Sequence, residues 1–89
     1  MGRKITKKEF NETVMAYAMD TVMFGPAPGS PERIQWGFYG EPPRDERTFA
    51  TEDAAKRAAE WYIRNRCPDR MAIGRNEARE WMKYNGYHF

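Results

Sequence analysis

Residues 33–51 read RIQWGFYGEPPRDERTFAT, and the direction in which Trp36, Phe38 and Tyr39 point decides the fold. The run 33–39 is rich in aromatic side chains, which suit a pleated, half-buried surface. GEPPRD reads as a turn and residues 47–50 as a second extended run, so the pattern predicts a β-hairpin. Side chains alternate along a strand, which puts Ile34, Trp36 and Phe38 on one face and Arg33, Gln35, Gly37 and Tyr39 on the other. Trp36 and Phe38 are therefore expected in the core, and Tyr39 outside it.

The cover for that apolar face follows directly. In TEDAAKRAAEWYIRNR, Thr51 is placed as an N-cap, and Glu52 and Asp53 sit where they suit the helix dipole. At 100° per residue, Ala54, Ala55, Ala58, Ala59, Trp61 and Tyr62 share one side, and Asp53, Lys56, Arg57, Glu60 and Arg64 the other. Alanines let the helix lie close to the sheet, leaving space for the rings of the hairpin.

Upstream, Thr6 and Glu9 form a capping box, and apolar residues recur at Phe10, Val14, Tyr17, Ala18 and Val22, predicting a helix from about Lys7 to Met23. Gly25 and Pro26 stop it. GPAPGSP, residues 25–31, holds three prolines and two glycines in seven positions and reads as an irregular connector. Downstream, Cys67 and Pro68 end the second helix, Met71–Ile73 form a short third strand, and Asn76 caps a last helix, Glu77–Tyr84, which Asn85-Gly86 closes. The expected architecture is a small α+β fold: a short antiparallel hairpin, extended to three strands by the 71–73 piece, packed by helices in the order α-β-β-α-(β)-α.

A length of 89 residues fits one domain, spanning 1–89, and 40% hydrophobic content is enough for a folded core. Fifteen basic against thirteen acidic residues leave a net charge of +2, well short of the balance expected of a protein that grips a phosphate backbone nonspecifically. Cys67 is the only cysteine, which excludes an intramolecular disulfide and a thiolate metal cage and fits a reducing, cytoplasmic setting. No membrane association is expected: the apolar run Val14–Phe24 is interrupted by Asp20 and too short to span a bilayer. MGRKIT matches the myristoylation pattern through Gly2 and Thr6, but bulky Arg3 and Lys4 follow, and the match is read as chance.

The stretch RTFATEDAAKRAAEWYIRN, residues 47–65, resembles the strand-to-helix passage of small ββα units, including the arm-type DNA-binding domains of tyrosine recombinases. In those domains an aromatic hairpin precedes a TFxTxxxA helix start. As a one-domain chain with no catalytic motif, the protein is also similar in type to accessory proteins of bacteriophages and mobile elements, which act by binding and blocking a host component.

Enzyme chemistry is poorly provided for. His88, the only histidine, is penultimate, where an oriented partner and a defended pocket are seldom supplied. Cys67 has Arg64 and Arg66 nearby but no second cysteine or histidine, and is read as inert. GPAPGSP has prolines where a phosphate-binding loop needs backbone N–H donors. A carboxylate pair such as Glu46 with Glu60 has no positive support. No catalytic residue, metal site or cofactor is expected.

Three surfaces remain. On the second helix, Glu52–Lys56, Asp53–Arg57 and Glu60–Arg64 are acid-first i,i+4 pairs, which suggests a solvated face rather than a nucleic-acid site. On the last helix, Arg75, Arg79 and Lys83 recur at i,i+4,i+8 as a basic stripe that invites an acidic partner, diluted by Glu77 and Glu80 and extendable by Arg70. On the first helix, Phe10, Val14, Tyr17, Thr21 and Phe24 make an apolar seam, with Met15, Met19 and Met23 as a second stripe beside it. That arc is wider than one sheet face covers. Either the last helix and the Tyr87-His88-Phe89 tail cover it, or it is an interface, for which flexible methionines are suited.

The leading expectation is a non-catalytic binding protein of the inhibitor or adaptor type. It would contact a host protein, or a copy of itself, through Met15, Met19, Met23, Arg75, Arg79 and Lys83. The alternative is a nucleic-acid-binding module using Arg33, Gln35, Tyr39 and Arg44 on the open face of the hairpin.

Overall fold

A computed structural model describes residues 2–41 and 48–88. Its elements are β1 (Arg3–Lys4), α1 (Lys7–Met19), β2 (Val22–Ala27), β3 (Ser30–Phe38), α2 (Glu52–Arg66), α3 (Pro68–Tyr84) and β4 (Tyr87–His88). The fold is α+β: three helices, an antiparallel β2–β3 hairpin, and a short parallel pairing of β1 with β4.

The capping box forms at the start of α1. The Thr6 hydroxyl accepts from the Glu9 amide at 3.1 Å, and the Glu9 carboxylate accepts from the Thr6 amide at 3.3 Å. The helix ends at Met19, four residues short of the expected Met23. Asp20 is the C-cap, and the Thr21 hydroxyl donates to the Ala18 carbonyl at 2.8 Å, satisfying one terminal acceptor. From Val22 the period changes from helical to two. Val22 and Phe24 lie opposite Phe38 and Trp36 across the hairpin and add to the same apolar face.

This corrects the expected hairpin. The partner of the aromatic strand is the segment before it, and part of the supposed connector is strand. Ala27 and Ser30 flank a two-residue turn, Pro28-Gly29, with Gly29 at φ +79°. A type II turn requires positive φ at its second central position, which Gly29 supplies, and favours proline at the first. Pro26 is tolerated because β2 is an edge strand, where a missing N–H need not break a ladder bond. Among the described residues, the predicted partner segment makes a single antiparallel bridge, Ile34 to Phe49, on the outer edge of β3; Arg47 and most of the expected GEPPRD turn lie outside the described residues. The Arg33 guanidinium reinforces it, donating through Nε to the Thr48 hydroxyl and through Nη2 to the Thr48 carbonyl at 2.8 Å.

The face assignment holds. Trp36 and Phe38 are almost fully buried, at 1% and 2% exposure, while Tyr39 is 64% exposed. Their cover is α2, whose hydroxyl cap Thr51 accepts from the Ala54 amide at 3.1 Å. The inward ridge of α2 is Ala55, Ala59 and Ile63; Trp61, expected inward, is 56% exposed. Together with Ala18, Val22, Trp36 and Phe38 these residues form one core cluster.

Residues 71–73 are helical, and Asn76 lies inside α3 rather than capping it. Pro68 is the reason: at the first helical position its lost N–H costs nothing and its fixed φ favours the turn, so it ends α2 and starts α3 at once. The Cys67 carbonyl accepts from both Arg70 and Met71 amides at 3.1 Å. α3 then packs antiparallel to α1, and Ile5, Phe10, Val14, Ala78 and Met82 form a second core cluster. Gly74 is the point of closest approach, since a Cβ there would sit 2.6 Å from the Val14 carbonyl oxygen. At the far end Asn85 caps α3 and Gly86 turns at φ +74°, bringing β4 beside β1.

Candidate functional site

Two clusters placed one after the other along the α1–α3 pair make a long molecule, 54 × 21 × 20 Å. α2 covers the hairpin and leaves most of the outer side of α1 without a helix beside it. The result is an open groove of about 1010 Å³ along α1, floored by Val14, Met15, Met19 and Met71. Its α1 rim carries Lys7, Lys8, Asn11, Glu12 and Asp20, and its α2 rim carries Lys56, Glu60 and Arg64. The α1 residues recur in steps of three and four, so the groove follows the helix for its whole length, about 20 Å at 1.5 Å per residue.

The structure separates the three expected methionines. Met15 and Met19 are half-buried and line this groove, with Met19 also resting on the hairpin cluster. Met23 lies on β2, 47% exposed, on the hairpin face away from the core, in a shallow cleft of about 260 Å³ beside Gly25 and Gln35. The helical stripe was interrupted by the end of α1. Met71 takes its place, contributed by a segment that reads as a strand in the sequence. The expected seam divides in the same way: Phe10 and Val14 are buried, Tyr17 packs against the α1–α3 cluster, and Phe24 belongs to the hairpin.

Arg75, Arg79 and Lys83 are exposed along α3, one residue on from its buried ridge of Gly74, Ala78 and Met82. Arg79 and Lys83 border a second groove, of about 800 Å³, with Asn76, Glu80, Met82, Tyr87 and His88. Arg70 does not extend this stripe. Its guanidinium lies 3.7 Å from the centre of the Phe38 ring and 3.7 Å from the Glu41 carboxylate, so it locks the first turn of α3 onto the end of the hairpin.

Of the alternative nucleic-acid set, Arg33 is engaged with Thr48, Gln35 is half-buried, and Tyr39 is exposed beyond the end of β3. Arg44, like Glu46 of the carboxylate pair and Phe89 of the tail, lies outside the described residues. The i,i+4 charges of α2 form no ion pair among the described residues; the ion pair found there is Arg70–Glu41. Also among the described residues, no three His, Cys, Asp or Glu side chains are grouped to hold a metal ion, and no helix is long and apolar enough to cross a membrane. The chain matches no family model, no curated protein and no solved structure.

Proposed function

We propose that this protein is a non-catalytic binding module that captures a protein partner in the α1–α2 groove, as an inhibitor or adaptor of the bacteriophage or mobile-element type. The observation that carries this reading is the floor of Met15, Met19 and Met71, half-buried between two charged rims. Thioethers are apolar and adaptable, so such a floor gives contact area to a partner, while rims of both signs fix its register. A groove about three and a half helical turns long suits an amphipathic segment laid along α1. The nucleic-acid alternative loses support from the engagement of Arg33 and from the distance along the molecule between the hairpin and the α3 stripe.

The test is comparative capture from the source cell with the parent protein and with Met15→Gln/Met19→Gln, followed by reconstitution with the purified partner. A protein retained by the parent and reduced at least about tenfold with the variant, at similar thermal midpoints, supports the reading. An identical set of captured proteins, with reconstituted affinity unchanged, refutes it.

A further inference from the structure

The end of the molecule opposite the hairpin concentrates positive charge. Arg3 and Lys4 of β1, Lys7 and Lys8 at the start of α1 and Arg79 and Lys83 in the second half of α3 set six cations against the carboxylates of Glu9, Glu12, Glu77 and Glu80, a surplus equal to the whole chain's net charge of +2. Like charges at i,i+4,i+8 weaken a helix on its own, and only Lys83, in the last turn, suits the dipole of α3. The second groove runs beside it. Resting on the protein-binding reading above, we infer that this groove takes an acidic, extended segment of a partner protein.

Three features select that occupant. Carboxylates complement Arg79 and Lys83 directly, whereas a second copy of the chain would bring the same positive patch against itself. The Tyr87 ring, which would be the natural platform for a nucleic-acid base, is already covered: Trp81 stacks on it at 5.0 Å with planes 16° apart, and the Arg3 guanidinium lies 5.3 Å from its centre. β4 pairs with β1 on one edge and, among the described residues, has no strand on the other, leaving backbone groups for an extended chain to meet.

The probes are a fluorescein-labelled peptide of alternating glutamate and alanine, its glutamine counterpart, and an oligothymidylate of matched length. Anisotropy at low salt should show binding of the glutamate peptide and not the glutamine one. Arg79→Glu/Lys83→Glu should weaken it on the order of tenfold or more. Arg57→Glu/Arg66→Glu, an equal change of charge at exposed positions of α2 outside both grooves, should leave it nearly unchanged. Amide shifts should centre on Arg79, Lys83, Tyr87 and His88. If the charge reversals unfold the protein, Arg79→Gln/Lys83→Gln carries the test. The inference is overturned if the glutamate peptide does not bind, if Arg57→Glu/Arg66→Glu weakens binding equally, if the oligothymidylate binds more tightly at the same residues, or if the shifts lie elsewhere. Met15→Gln/Met19→Gln should not affect the peptide, so failure here and failure of the α1–α2 groove are separate results.

Discussion

At the scale of single residues, the two aromatic side chains of β3 and one arginine do most to hold the fold. Trp36 packs edge-on to Phe38 with ring centres 5.5 Å apart and lies 5.4 Å from Tyr62. Trp36→Ala should cost about 3–5 kcal/mol, a large share of the stability of so small a protein, whereas Tyr39→Ala should stay within about 0.5 kcal/mol. The Trp36 indole N–H has no hydrogen-bond partner among the described residues. An unmade buried bond carries a penalty of about 1–3 kcal/mol, which Trp36→Phe removes while leaving a ring in place. That variant should therefore lose far less than Trp36→Ala in urea denaturation; equal losses would show that a phenyl ring recovers none of the packing and that the buried N–H carries no significant penalty. Arg70→Ala should cost about 1–2 kcal/mol through its place on the Phe38 face, and Glu41→Ala less, because that ion pair is partly solvated.

At the scale of elements, the α1–α3 contact depends on what is absent at position 74. The backbone of α1 occupies the space a side chain would fill, so Gly74→Ala must push the helices apart, at about 1–3 kcal/mol, despite the better helix propensity of alanine. Gly25 on β2 is the control: a Cβ there meets nothing within 4 Å, and Gly25→Ala should be neutral or slightly stabilising. A Gly74→Ala protein with an unchanged thermal midpoint would mean that α1 and α3 are not in contact as described. The hairpin turn gives a second test. Gly29→Ala forces a side chain into positive φ and should cost about 1 kcal/mol or more, visible as a lower urea midpoint at constant slope.

At the scale of the molecule, two small cores in series replace the single core expected of a short chain. The Cα radius of gyration is 15.3 Å, against about 12 Å for a compact chain of this length. Small-angle scattering should accordingly give a distance distribution with a long tail; a symmetric, sphere-like distribution would contradict the serial arrangement. Extension is what leaves the α1 groove open, because α2 cannot cover both the hairpin and the side of α1. It also separates the Met15–Met19 groove, along α1, from the Arg79–Lys83 groove, along the second half of α3 and β4, and the two share no lining residue.

Local events follow from neighbouring residues alone. Thr6 with Glu9, and Thr51 before Glu52, set both helix starts through caps that need only neighbouring residues. The alternation over 34–38 assigned Trp36 and Phe38 to the core and Tyr39 to solvent, because side-chain direction in a strand is a property of the backbone. Met15 and Met19 were legible as surface-facing candidates for the same periodic reason, and so were Arg75, Arg79 and Lys83. Tertiary structure decided which segment pairs with the aromatic strand. Val22 and Phe24 satisfy both a helical period and an alternating one, and only burial against Phe38 and Trp36 selects the strand. The Pro28-Gly29 turn was the local signal for that pairing, obscured by the prolines around it. Residues 68–76 likewise gained their helix from Pro68 as a start and from the close fit of Gly74 to α1. The same contact carries Met71 into the α1–α2 groove and moves Arg70 from the basic stripe to the Phe38 ring. Those outcomes depend on contacts between residues far apart in the chain, which no local pattern encodes.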